Sequence, residues 1–196
     1  LRIIAPEVGG GFGSKIAHYA DESIIAFCSI QLSSPVKWTE DRRENYLATT
    51  HGRDHVQTVA IAGNRDGKIT GIRAQILAGM GGYLSTAAPG VPTILCGLMR
   101  SGPYGIENVS CETIGVFTNT TPVDAYRGAG RPEMTYLIER LVDLFASEID
   151  MDPVELRKNN LIPADSFPYT ASTGLEYDSG NYQAALEKAL NIVDYG

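Results

Sequence analysis

Apolar and polar residues alternate from His55 to Ala62 and again from Ile69 to about Ala78, with GNRDGK, Gly63 to Lys68, between the two runs. A period of two marks a strand with one buried face, and a junction rich in Gly, Asn and Asp turns the chain back, so a hairpin is expected here. A further strand, Val109 to Thr118, is expected after the Gly- and Pro-rich stretch Gly79 to Gly105. The apolar run Leu1 to Ala5 and PVKWTE, Pro35 to Glu40, are expected to be short strands, with Trp38 in the core. Helical spacing runs from about Tyr19 to Leu32. DRRENYLATTHG reads as a helix with Asp41 as its N-cap and Gly52 at its end. The acids Glu40, Asp41 and Glu44 are expected to be a solvated helix start. Further helices are expected after Pro132 through about Glu148, in MDPVELRKNN, and from Asn181 to Asp194, with an irregular loop from Pro163 to Gly180. Strands and helices mixed in this order give an α+β chain, and no internal repeat or low-complexity stretch is present.

Composition narrows the function classes. Of 196 residues 43% are hydrophobic and 20% charged, the profile of a globular protein. The formal net charge is −7 and no basic run occurs, which argues against a nucleic-acid partner. No apolar stretch approaches the roughly 18 residues that span a bilayer, so no membrane partner is expected. Cys28, Cys96 and Cys111 are widely spaced and odd in number, which offers neither a disulfide framework nor an iron–sulfur pattern; buried free thiols in a reducing, cytoplasmic setting are expected. The chain opens at Leu1 on an apolar run and its last helical stretch has no clear ending, so it reads as a piece of a longer polypeptide.

Two glycine-rich turns carry the chemistry. The first is VGGGFGSKI, Val8 to Ile16; the second is AYRGAGRPE, Ala125 to Glu133, and each is expected to feed a helix. Glycines let a ligand reach the backbone, and a helix N-terminus presents unpaired N–H groups and a positive dipole end, so each turn is a candidate cradle for an anion or an oxo ligand. Nucleotide motifs fail on inspection: GxGxxG begun at Gly9 meets Ser14 and begun at Gly11 meets Ile16, and a P-loop would need glycine at Ser14 and Ser or Thr at Ile16. Arg127 and Arg131 flank the second turn with forks suited to phosphate; solvation, or pairing with Asp124 and Glu133, is the alternative. His51 and His55, four apart, have the spacing of a metal pair, but Gly52 between them breaks the helix this would need, and His51, Arg53 and Asp54 are expected to be structural.

Taken together, GGGFGSK, PVKWTEDRRENYLATTHGRDH and TPVDAYRGAGRPE, in this order and spacing, resemble the large subunit of the molybdenum hydroxylases, the family of xanthine dehydrogenase, aldehyde oxidase and aerobic carbon monoxide dehydrogenase. The likeness is greatest to the carbon monoxide dehydrogenase large-subunit group with an AYRGAGR loop. It implies a molybdenum centre held by molybdopterin, as the cytosine dinucleotide in bacterial members, hydroxylation of an aldehyde or N-heterocycle carbon with oxygen from water, and electrons passed to iron–sulfur clusters and FAD on partner subunits or domains. By the same resemblance, the backbone at Phe12 and Gly13 reaches an oxo ligand of molybdenum, Gly10 and Gly11 leave room for that approach, and Arg127, Gly128 and Ala129 lie beside the cofactor. A side chain at Gly13 is expected to intrude on the cofactor or to force a glycine-only backbone.

Departures from the family refine the implication. Carbon monoxide oxidisers place a copper-binding cysteine where this chain has Gly128, and purine oxidisers have a glutamate at Ile16 and a phenylalanine at Ala129, so neither a molybdenum–copper site nor xanthine is implied. The family's catalytic base is a glutamate much further along the subunit, and no residue here matches it. Residues 1–162 are expected to be most of a first molybdopterin-binding domain lacking its beginning, and 163–196 a connector toward a second, with the fragment inactive alone. Two other readings stay open: an enzyme that takes a phosphorylated ligand on the same turns without molybdenum, and a non-catalytic remnant of the fold. Molybdenum content separates the first reading from both, and turnover with an artificial acceptor separates enzyme from remnant.

Overall fold

The computed structural model describes residues 2–195. Its elements are α1 (Ala20–Leu32), α2 (Arg42–Ala48), β1 (His55–Gly63), β2 (Ile69–Gly81), the one-turn α3 (Cys96–Leu98), β3 (Asn108–Phe117), α4 (Arg131–Glu148), α5 (Pro153–Lys158), the two-residue strands β4 (Tyr169–Thr170) and β5 (Glu176–Tyr177), and α6 (Tyr182–Val193). The expected hairpin forms: β1 and β2 pair antiparallel from His55 opposite Ala78 to Gly63 opposite Ile69. β3 joins the other edge of β2 in parallel, Gly71 opposite Asn108, so β2 is central in a three-stranded sheet.

One face of that sheet meets α4. Ile72, Ala74, Ile76, Ala78 and Met80, every second residue of β2, are buried together with Met134, Leu137, Ile138, Leu141 and Val142 of α4. The matched periods, two along the strand and 3.6 along the helix, bring both apolar faces together, and each fully buried large side chain contributes roughly 1.5–3 kcal/mol. Asn160, 2% exposed, closes one end of this core. Its Oδ1 accepts from the Ile69 N–H at 2.9 Å, and its Nδ2 donates to the carbonyls of Gly67 and Leu156 at 2.7 and 2.8 Å. Nearby, Arg157 of α5 ties to Glu139 and Asp143 of α4 at 2.7 and 2.9 Å.

Several expectations are corrected. Residues 2–5 form no strand, and Ile3 and Ile4 are exposed; Leu1 lies outside the described residues. PVKWTE forms no strand because it finds no ladder partner, and Trp38 is 49% exposed, not core. Helix α2 ends at Ala48, well before Gly52, while Asp41 caps it in a reciprocal capping box with Glu44. The stretch from Pro163 to Gly180 contains the β4–β5 pair. Of the three free cysteines, only Cys96 is buried, Cys28 and Cys111 being half-exposed. Helix α1 has its expected limits but buries none of its residues, and leaves Ile24, Phe27 and Ile30 exposed.

Candidate functional site

The two glycine turns, more than a hundred residues apart in the chain, meet in space. A Cβ built on Gly13 would lie 2.2 Å from the Ala125 carbonyl oxygen and 3.0 Å from Tyr126 Cα, so the backbones of the two turns are in direct contact there. Beside this contact the Arg127 guanidinium sits over the Phe12 ring, 5.5 Å from its centre. Gly13 therefore has to be glycine for a reason internal to the protein: its φ of +95° and the Ala125 carbonyl both exclude a side chain. Phe12 at φ +53° and Ala129 at +41° are non-glycine residues in the left-handed region, a conformation that persists only where its surroundings hold it.

Both turns are braced through their carbonyls. In the first, Val8 O accepts from Lys15 Nζ, Gly11 O from the Lys15 N–H at 3.3 Å, Gly13 O from the Ile16 N–H at 3.0 Å, and Ser14 O from Tyr19 Oη at 2.5 Å. In the second, Tyr126 O and Arg127 O accept from the Arg53 fork at 3.2 and 2.8 Å, Gly128 O from Arg131 Nη1 at 3.2 Å, and Gly130 O from Cys96 Sγ at 3.1 Å. Asp124, 2% exposed, accepts from the Ala125 N–H at 2.6 Å and the Ala87 N–H at 3.1 Å, and so pins the entry to that turn. Among the described residues, the N–H groups of Gly10, Gly11, Phe12, Gly13, Arg127 and Gly128 find no protein acceptor. Free amides beside these braced carbonyls make the two turns a candidate cradle for an anionic or oxygen-rich ligand.

The second turn runs straight into α4, with Gly130 at φ +83° as its N-cap, as expected. The first does not feed a helix directly: α1 starts only at Ala20, with Tyr19 as N-cap, so its donors act without a helix dipole behind them. Neither Arg127 nor Arg131 pairs with Asp124 or Glu133, since Asp124 serves two backbone amides and Glu133 faces Arg53 at 3.5 Å.

The segment between the turns was legible as THGRDH but not in its geometry. His51 donates its N–H to Pro122 O at 3.0 Å and accepts from the Asp124 N–H at 2.7 Å, a backbone bridge to the second turn's approach. Its ring Nε2 lies 2.9 Å from Tyr46 O. His55 lies at the start of β1, beside a cavity of about 420 Å³ shared with Arg53, Asp54, Glu133 and Tyr136. Burial pushes its imidazole pKa below the ordinary value, against the opposing charges of Glu133 and Asp54. A second cleft, of about 500 Å³, is bounded by Ser14, Asn45 and Tyr46 of α2, His51 and Tyr126, and so touches both turns.

In sequence Cys96 lies outside both turns. Tertiary structure brings its thiol onto the Gly130 carbonyl, and burial, reinforced by Glu133 nearby, pushes its pKa up to about 12. It is a neutral donor to that carbonyl.

Two converging, donor-presenting turns on an α+β core define a candidate cofactor-binding domain. The chain belongs to the molybdopterin cofactor-binding domain family, whose model matches residues 1–161. It is 43% identical to the carbon monoxide dehydrogenase large chain of Hydrogenophaga pseudoflava over 100% of this chain and 24% of that one. Its fold matches a Cu,Mo-CO dehydrogenase with a TM-score of 0.89 at 38% identity, covering 98% of this chain and 24% of the other. It matches quinoline 2-oxidoreductase from Pseudomonas putida 86 with a TM-score of 0.89 at 30% identity, covering 96% and 24%. The chain thus spans about a quarter of the length of these relatives.

Proposed function

We propose that this chain is the part of a molybdenum hydroxylase large subunit that holds molybdopterin on its two glycine turns. Gly10, Gly11, Phe12 and Gly13 form one lip of the cradle, and Arg127, Gly128 and Ala129 the other. The observation that carries this reading is the contact between the turns at Gly13 and Ala125, with backbone amides free on both sides of it. When bound, the molybdenum centre supplies the transfer of water-derived oxygen to a substrate carbon and takes up the electrons released. This chain's own contribution is to bind and orient: donors on two braced turns, an arginine beside them, and an aromatic ring at Phe12 that Arg127 covers. No residue of the chain is assigned as catalytic.

Membership of the family supports molybdopterin, and the cytosine dinucleotide form is the finer reading. The substrate proposed is an aldehyde or N-heterocycle. Gly128 provides no thiolate, and Cys96, which lies outside the turn in sequence, is buried with its thiol on the Gly130 carbonyl, so copper chemistry is not part of the proposal. Iron–sulfur and FAD partners, the remainder of the large subunit, and a boundary near Ile162 with 163–196 as connector complete it. The exposed apolar residues of α1 support further polypeptide packing there. A cytoplasmic location rests on the three unpaired cysteines; no helix among the described residues is long and apolar enough to cross a membrane.

Gly11 provides the test, because a Cβ there would meet nothing closer than Lys15 Cβ at 3.9 Å and its φ is not left-handed. The protein itself has room for a side chain at that position. Gly11→Val in the full-length subunit is expected to lose most of its bound molybdenum, measured by elemental analysis, with unchanged circular dichroism and thermal unfolding. Full molybdenum content in this variant would remove the cofactor from the first turn.

A further inference from the structure

Arg53 stands where four separate features of the structure converge. Its Nη1 and Nη2 donate to consecutive carbonyls of the second turn, Tyr126 O at 3.2 Å and Arg127 O at 2.8 Å. Its guanidinium also lies over the Tyr126 ring, 5.0 Å from the centre. Behind it stands Glu133, whose side chain is 5% exposed and whose two carboxylate oxygens find no hydrogen-bond partner among the described residues. A buried carboxylate without hydrogen bonds is costly, and what compensates it is charge: Arg53 at 3.5 Å and the N-terminal turn of α4, where Glu133 itself sits.

The backbone is arranged to hold this geometry. Arg53 at φ +76° and Asp54 at φ +57° are two successive non-glycine residues in the left-handed region, which the rest of the fold must offset. Just before them, a Cβ on Gly52 would meet Tyr126 Cβ at 2.6 Å, and His51 bridges to Pro122 and Asp124. Residues 51–53 therefore lie along residues 122–127, and of these three Arg53 is the one whose side chain reaches the turn's carbonyls.

We propose that Arg53 is a positioning residue: its fork, anchored by buried Glu133, fixes the Tyr126 and Arg127 carbonyls and so aims the free amides of the second turn at the cofactor. This role rests on the placement of molybdopterin at the turns. A lysine in its place would keep the charge facing Glu133 but, as a point donor, would not span two carbonyls.

The test uses the full-length subunit in its complex, produced with and without molybdate, and follows amide hydrogen exchange in the peptide spanning residues 125–131. With Arg53→Lys, the Ala129 and Arg131 amides are expected to exchange roughly tenfold faster, the loss of about one charge-assisted hydrogen bond. Exchange across β2 and across α4 beyond its first turn should not change, and molybdenum content should fall. Arg53→Met alone strands the Glu133 carboxylate and should lower the unfolding temperature. Adding Glu133→Gln to it should restore that temperature without restoring protection of the turn, an outcome a purely structural ion pair would not give. Wild-type protection of the turn in Arg53→Lys, or a loss spread equally over β2 and α4, overturns the proposal. Faster exchange of the turn with full molybdenum content leaves the brace in place and overturns the cofactor's placement instead.

Discussion

At the level of single residues, Cys96 shows how position changes chemistry. Its thiol is buried against the Gly130 carbonyl, and its pKa rises to about 12 from an ordinary 9.0. Because the folded value is the higher one, the stability this group contributes is fully present below about pH 9 and lost as the pH climbs toward 12. Native protein at pH 8 is therefore expected to alkylate Cys28 and Cys111 with iodoacetamide well before Cys96, which should react only on unfolding; mass spectrometry of the labelled peptides reads this directly. Early modification of Cys96 in folded protein would contradict its burial. Gly13 carries a second lesson at this scale. Its need for glycine was legible in GGGFG, but the neighbour that enforces it, the Ala125 carbonyl, was not, since that contact joins segments over a hundred residues apart.

Among the elements, the hairpin β1–β2 and helix α4 could be read from periodicity because each carries its own signal: alternation in one, a 3.6-residue apolar stripe in the other. PVKWTE could not be read correctly, because strand formation depends on a partner that the segment does not specify. Asn160 gave no sequence signal at all, yet it satisfies one amide and two carbonyls from two segments of the chain. Asn160→Leu keeps the branched shape, adds volume at a buried site and strands those groups, so stability should fall by about 3 kcal/mol. Urea unfolding is expected to show a lower midpoint at unchanged slope. A midpoint equal to wild type would mean that water reaches these groups.

For the whole molecule, the cradle is one-sided. Phe12 is 54% exposed, and Arg127 and Gly128 are exposed beside it, so this chain covers only part of any ligand lying on the turns. The 196-residue chain by itself is expected to retain no stoichiometric molybdenum after purification and gel filtration, whereas the full-length subunit should. Tight metal retention by the isolated chain, measured by plasma mass spectrometry, would show that the two turns suffice.

The amino-acid sequence by itself determined the mixed α+β character, the hairpin, the core helix and the two glycine turns, because each of these follows from local periodicity or local backbone freedom. It also determined, through the joint spacing of those turns and THGRDH, the family to which the chain belongs. Only the tertiary structure decided that Gly13 abuts Ala125, that Cys96 donates to Gly130, and that Arg53 and Glu133 brace the second turn. These are contacts between distant segments, set by how the sheet, α4 and the intervening loops pack, and no local pattern encodes which carbonyl a distant side chain will meet.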